Sequence, residues 1–135
     1  MKDIICKAVN FKDYQNSKSQ TLIDMIFQDL LTLLRFVHKA QKGGLLNEPF
    51  FFTNQINYLD SIWHHFILHT KLYHDFCSSE FGEYLHHHPE ALNVESNENN
   101  ISMEEVLKQQ MTLLENHLGP EFVNRIFFIY PELLK

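Results

Sequence analysis

A cluster of histidines marks the part of this sequence that could do chemistry. Seven of the nine histidines lie between residues 64 and 88, and Asp60 and Cys77 lie beside or among them. Imidazole, thiolate and carboxylate are the side chains that bind divalent transition metals, zinc above all. The spacing is not the compact C-x2-C and H-x3-H arrangement of a zinc finger. The cluster therefore predicts a metal site but leaves its geometry open.

Helix geometry limits which of these residues can meet. Asp60 and His64 share a helix face because they are four residues apart. In one straight helix His64 and Cys77 would be about 20 Å apart, too far for a shared ion. A break at Thr70, a favourable N-cap residue, would bring them closer. A chain reversal at Gly82 would then return the following histidines, so the predicted ligands of zinc or another divalent transition metal are His64, Cys77, His86 and His87.

The stretch LDSIWHHFILHTKLYHDFCSSEFGEYLHHHP resembles a pattern found in small bacterial proteins that are similar to glycine-rich-domain-containing proteins. The pattern is D-x-x-W-H-x-F-I-x-x-T-x-x-Y-x-x-F-C-x-x-x-x-G-x-x-x-H-H-x-P, with weaker similarity at FVNRIFFIYP. The resemblance covers about thirty residues, and the chain has no glycine-rich tail. It implies a site, not a reaction. The matching positions are Asp60, Trp63, His64, Thr70, Tyr73, Cys77, Gly82, His86, His87 and Pro89.

The same residues also have structural interpretations. His64, next to Trp63, could be a core histidine whose ring bonds to a backbone carbonyl. Cys77 could be a small buried apolar residue, which is the usual fate of a free cysteine. His86 and His87 could close a loop by hydrogen bonding. We expect the other histidines of the cluster to be solvated at the surface: His65, His69, His74 and His88.

The apolar periodicity predicts the helices that carry the cluster. A first amphipathic helix is predicted over about residues 20–41 and ends at Gly43-Gly44. Its apolar face is broad, which is typical of a helix that is central to the core or shared with a partner. A second helical run begins near Thr53 or Asn54. The core positions of the first helix are Ile23, Ile26, Phe27, Leu30, Leu33, Leu34 and Val37.

The second half of the chain is predicted to be helical after a polar connector at about residues 90–101. Ser102 and Glu105 form a capping box for the next helix, and Gly119-Pro120 separates it from the last one. That last helix is predicted to stop at Pro131. Together with the low glycine and proline content, these patterns predict an all-α, single-domain bundle of about five helices over residues 1–135.

Charge and composition exclude several functions. The net charge is −6 and the basic residues are scattered, so we expect no nucleic-acid binding. No run approaches the ~18 apolar residues of a membrane span, and the N-terminus does not resemble a signal peptide. Two cysteines, Cys6 and Cys77, are typical of free thiols in a reducing compartment. We therefore expect a cytoplasmic protein.

Three classes of function follow from these observations. The first is a metal-binding module, most simply for zinc, built from the four predicted ligands. The second is a metal-free interaction or inhibitor module that binds a protein partner or a second copy through the broad apolar face of the first helix. The third, an enzyme with Cys77 as nucleophile, lacks an oriented third group and an oxyanion site, so no catalytic residue is assigned.

Overall fold

The computed structural model describes residues 20–46, 50–87 and 103–134, which form five helices and no strand. We label them α1 (Gln20–Lys42), α2 (Asn57–Leu68), α3 (Thr70–Phe81), α4 (Met103–Leu118) and α5. Helix α5 covers residues 120–133 in three continuous segments, Pro120–Asn124, Arg125–Ile129 and Tyr130–Leu133. A short 3-10 turn, Asn54–Ile56, precedes α2. The all-α bundle predicted from the sequence is confirmed.

Several sequence predictions fall on residues outside those ranges. They are the polar connector at about 90–101, Ser102 of the capping box, Cys6 and His88. None of the helices that the structure describes is both long enough and apolar enough to cross a membrane.

Helix α1 is the central element of the core. All seven apolar positions predicted for it are buried, and so are Leu31 and Phe36 on the broader face. Most of this broad face therefore packs inside the protein, while Met25 stays 48% exposed. The helix ends as predicted, with Gly44 in the left-handed conformation at φ 82°. The amide of Leu45 then donates to the carbonyl of Ala40 at 2.8 Å.

The helical run that carries the histidine cluster is broken at His69, between α2 and α3. A break was predicted at this place, but with Thr70 as the capping residue. Thr70 is instead the first residue of α3, and no side chain caps that helix. The break is held by packing on its inner side, where the Phe66 ring meets those of Tyr73 and Phe76 edge-on at 5.0 and 5.4 Å. The break changes the direction of the chain, so that α3 packs against both α1 and α2.

Helix α5 does not stop at Pro131, so that prediction was wrong. The turn before the proline, Arg125–Ile129, is a π-helix in which the amide of Tyr130 donates to the carbonyl of Arg125. Proline disrupts an α-helix because its ring meets the carbonyl four residues earlier and it lacks an amide hydrogen. A wider π turn directly before Pro131 accommodates both defects, so the helix continues to Leu133.

The π turn also determines what α5 contacts. In an α-helix, residues five apart point about 140° away from each other. The wider turn brings Arg125 and Tyr130 to one side, and both bind the carboxylate of Asp29 on α1. The guanidinium makes two hydrogen bonds, at 2.9 and 3.1 Å, and the phenol donates at 2.6 Å. Hydrogen bonding to Asp29 raises the pKa of Arg125, while burial and then Asp29 raise the pKa of Tyr130.

A buried amide connects α4 to the segment that precedes α2. Gln110 accepts a hydrogen bond from the amide of Phe51 at 2.9 Å and donates one to its carbonyl at 2.7 Å. Both backbone groups of Phe51 are therefore satisfied although the residue is buried. The pairing holds residues 50–53 against the core next to Trp63, whose ring centre is 5.6 Å from that of Phe52.

The burial of Trp63 gives a test of this packing. Trp63 is 5% exposed, so Trp63→Ala should lower the free energy of unfolding by about 3–5 kcal/mol, as is usual for deletion of a buried aromatic ring. The exposed Met25 provides a control, because Met25→Ala should change stability by less than about 0.5 kcal/mol. Urea denaturation measures both values. Equal stabilities for the two variants would contradict the assignment of Trp63 to the core.

Candidate functional site

The residues after α3 fold back over α2 because the chain reverses at Gly82, as the sequence predicted. Gly82 adopts the left-handed conformation, with φ 71° and ψ 4°, at the end of α3. An added Cβ would meet no atom within 4 Å there, so glycine is favoured for its backbone conformation and not for space. We call residues 83–87 the return segment.

Ion pairs attach the end of α3 and the start of the return segment to α1. Arg35 pairs with Glu80 at 2.8 Å. Glu83 accepts from Lys42 at 2.8 Å and from His38 at 3.2 Å. These two hydrogen bonds hold the pKa of Glu83 below its usual value. The reversal at Gly82 is therefore fixed on both sides by contacts with the central helix.

A buried hydrogen-bond network holds the middle of the return segment. The indole N–H of Trp63 donates to the hydroxyl of Tyr73 at 3.1 Å, and that hydroxyl donates to the carbonyl of Leu85 at 2.5 Å. Burial raises the pKa of the nearby Cys77 thiol, and interactions with the Leu85 backbone and Tyr73 partly offset that rise. Burial raises the pKa of Tyr73 well above its usual value. Two positions of the resemblance pattern, Trp63 and Tyr73, thus form a chain of hydrogen bonds that ends at the Leu85 carbonyl.

The end of the return segment brings a histidine to a carboxylate. His87 Nε2 donates to Asp60 Oδ1 at 2.6 Å, and both side chains are 17% exposed. The His87 ring also packs edge-on against Trp63, with 4.7 Å between ring centres. His64 lies one turn after Asp60 on α2, and its ring centre is 6.4 Å from that of His87. Asp60, His64 and His87 are therefore neighbours at the surface of α2.

The other two predicted ligands lie apart from this group. His86 is exposed and its ring lies 4.8 Å from that of Tyr84, whereas Leu85 between them is buried. Side chains along the return segment thus alternate between two sides, and His86 lies on the side away from His87. Cys77 is a free thiol, 1% exposed, and burial raises its pKa.

The remaining histidines of the cluster differ in exposure. His74 is exposed, as expected. His65 and His69 are half-buried instead, and the His69 ring bonds to the carbonyl of His65 at 3.1 Å. The interpretation of His64 as a buried core histidine does not fit its position, because the residue is exposed.

Asp60 holds the imidazole of His87 in a fixed orientation, and the imidazole of His64 lies beside it. Within the three ranges of the chain that the structure describes, no group of three or more His, Cys, Asp and Glu side chains has a spacing that could hold a metal ion. Any ion bound here would therefore need a side-chain movement or groups from outside those ranges.

Sequence reasoning missed the partner of His87. Asp60 was paired with His64 by helical spacing, but its hydrogen bond goes to a residue 27 positions later. Helical spacing and the first position of the resemblance pattern both singled out Asp60, but neither indicated that its partner is His87. The role of the Leu85 backbone had no sequence signal, since a carbonyl is present in every residue.

The chain belongs to the UCP032817-like family, whose family model matches residues 8–130. The match includes all of α1 to α4 and every residue of the candidate site. A search of curated proteins and a search of solved structures returned no match.

The raised pKa of Cys77 predicts a pH dependence of stability. Because burial raises the pKa of the folded thiol, its contribution to stability is complete below the usual thiol value of 9.0 and is lost as the pH rises beyond it. The free energy of unfolding of a Cys6→Ser variant should therefore decline more steeply above about pH 9 than that of Cys6→Ser/Cys77→Ala. Tyr130 affects both proteins equally, and Cys77 contributes to the raised pKa of Tyr73, so Tyr73 acts in the same direction as the thiol. Parallel curves from urea titrations would contradict the buried thiol.

Proposed function

We propose that this protein is a divalent-metal-binding module, for zinc or a similar transition metal, in which His64 and His87 bind the ion and Asp60 orients His87. The observation that supports this most directly is the 2.6 Å hydrogen bond between His87 and Asp60, with a second imidazole alongside. Metal-binding histidines characteristically donate their other ring N–H to a carboxylate, which fixes the ring and makes it a better ligand.

The distances limit how the two histidines can share an ion. Since Nε2 of His87 is bonded to Asp60, Nδ1 is the atom that remains for a metal. Zinc–nitrogen bonds of about 2.0–2.1 Å put the centres of two coordinating imidazoles about 5 Å apart. The present separation is 6.4 Å, so the exposed His64 ring must move by about 1 Å toward His87.

The four ligands predicted from the sequence are not equally supported. Metal coordination requires a thiolate, whereas the burial of Cys77 favours the protonated thiol. His86 lies on the side of the return segment away from His87. The proposal therefore rests on His64 and His87, and an ion bound by two imidazoles keeps coordination positions for water.

The resemblance to small bacterial proteins similar to glycine-rich-domain-containing proteins supports the same location. Six of its ten matching positions fall into two groups in this chain. Asp60, His64 and His87 form the surface group, while Trp63, Tyr73 and Cys77 form the buried network beneath the return segment. We propose that His64 and His87 of the first group bind the ion, that Asp60 orients His87, and that the second group shapes the site.

We also propose a cytoplasmic location and no role in nucleic-acid binding. A buried free thiol is compatible with a reducing compartment. Arg35, Lys42, Lys71 and Arg125 each pair with a carboxylate of the same chain, which leaves less positive charge for a phosphate backbone.

Calorimetric titration of tag-free protein with zinc tests the metal proposal. We expect saturable binding that is lost or strongly weakened in His64→Gln and in His87→Gln, because each substitution removes one of two protein ligands. His74→Gln is the matched control, since His74 is an exposed histidine of α3 outside the site. Absence of binding, or an equal loss in His74→Gln, would refute the proposal.

A metal-free interaction module is the second candidate, favoured by the outer side of α5. Phe128, Ile129 and Leu133 are 59%, 40% and 47% exposed, which places three large apolar side chains at the surface of one short helix. We propose that a second copy of the chain covers them. We propose the α5 surface for this contact in place of the broad face of α1, because most of the α1 face is buried in the core.

Sedimentation equilibrium tests the second candidate. Dimerisation through α5 should be independent of zinc and weakened in Phe128→Asp, because the charge would be desolvated at the contact. Glu121→Gln, also exposed on α5, serves as the control. A monomer at all concentrations would contradict association of two copies through this surface.

A further inference from the structure

We infer that Tyr73 is a positioning residue for the proposed metal site, because its hydroxyl holds the Leu85 peptide and thereby places His87 beside Asp60 and His64. This inference rests on the proposed function and assigns a role to a buried residue that contacts neither ligand.

The return segment has few other restraints. Within the described part of the chain, residues 83–87 make no hydrogen bond between backbone groups. The segment is held through side chains at three points. Glu83 is bound by Lys42 and His38, Leu85 by Tyr73, and His87 by Asp60. Removal of the middle point would leave the three residues between Glu83 and His87 without this hydrogen bond.

The hydroxyl of Tyr73 is well placed for this role. It is 1% exposed, so solvent does not compete for its hydrogen bonds. Trp63 donates to the same oxygen at 3.1 Å, which leaves the phenolic hydrogen for the Leu85 carbonyl. The Trp63 ring also contacts His87 at 4.7 Å. Tyr73 and the site are therefore linked twice, through the backbone of the return segment and through the indole.

Cys77 lies beside the contact between Tyr73 and Leu85. It lies one helical turn after Tyr73, so the two side chains share a face of α3. Tyr73 donates to the carbonyl of Leu85, and Cys77 is buried beside this contact. The thiol predicted as a metal ligand thus has a structural role beside the site. The break at His69 is what turns this face of α3 toward Trp63 of α2.

A pair of tyrosine variants separates positioning from loss of stability. Tyr73→Phe and Tyr130→Phe each delete one buried hydroxyl, but Tyr130 binds Asp29 in a different network. We expect Tyr73→Phe to lower zinc affinity by about 10- to 100-fold, the usual effect of removing a group that orients a ligand. Tyr130→Phe should leave zinc affinity within about twofold of the wild type, since it touches no part of the site.

Amide hydrogen exchange without metal provides a second readout. Exchange of the backbone amide of Leu85, the buried residue of the return segment, should accelerate in Tyr73→Phe and stay unchanged in Tyr130→Phe. Unchanged exchange in Tyr73→Phe, or an equal loss of zinc affinity in both variants, would overturn the inference and leave the proposed function intact. Wild-type protein that binds no zinc would overturn the proposed function, and the inference with it.

Discussion

The hydrogen bond from the Tyr73 hydroxyl to the Leu85 carbonyl is the contact on which the candidate site depends. It joins α3 to the segment that leaves it, and it adds Trp63 of α2 through the same oxygen. Loss of this partner would destabilise the fold, because the buried hydroxyl would stay desolvated without a hydrogen-bond acceptor. This contact therefore holds the return segment in one position, although residues 83–87 make no hydrogen bonds between backbone groups in the part of the chain that the structure describes. It places His87 beside Asp60.

A second polar network, at Asp29, connects α1 to α5. A carboxylate on the central helix needs partners, and Arg125 and Tyr130 both reach it because a π turn separates them. The same turn allows Pro131 to remain in the helix and leaves Phe128 and Ile129 exposed. One local deviation from α-helical geometry thus determines the internal contact of α5, and two of its residues contribute to the exposed apolar surface.

The histidines of the cluster differ in structural role although they share one residue type. His87 is held by a carboxylate, His64 is exposed beside it, and the ring of His69 bonds to a backbone carbonyl. His86 lies on the other side of the return segment from His87. Cys77, the softest potential ligand, is part of the scaffold. Among the histidines of the cluster that the structure describes, His64 and His87 are the pair whose rings lie beside each other.

The sequence by itself determined the helices, the break near residue 70 and the reversal at Gly82, because periodicity, glycine and capping preferences act over a few residues. It also indicated Trp63 as a core residue and Asp60 as part of the pattern. Only the tertiary structure decided that Asp60 binds His87, that Cys77 is buried against Leu85, and that α5 passes through Pro131. Each of these depends on contacts between distant residues or on a rare helical turn, and local patterns contain no information about either.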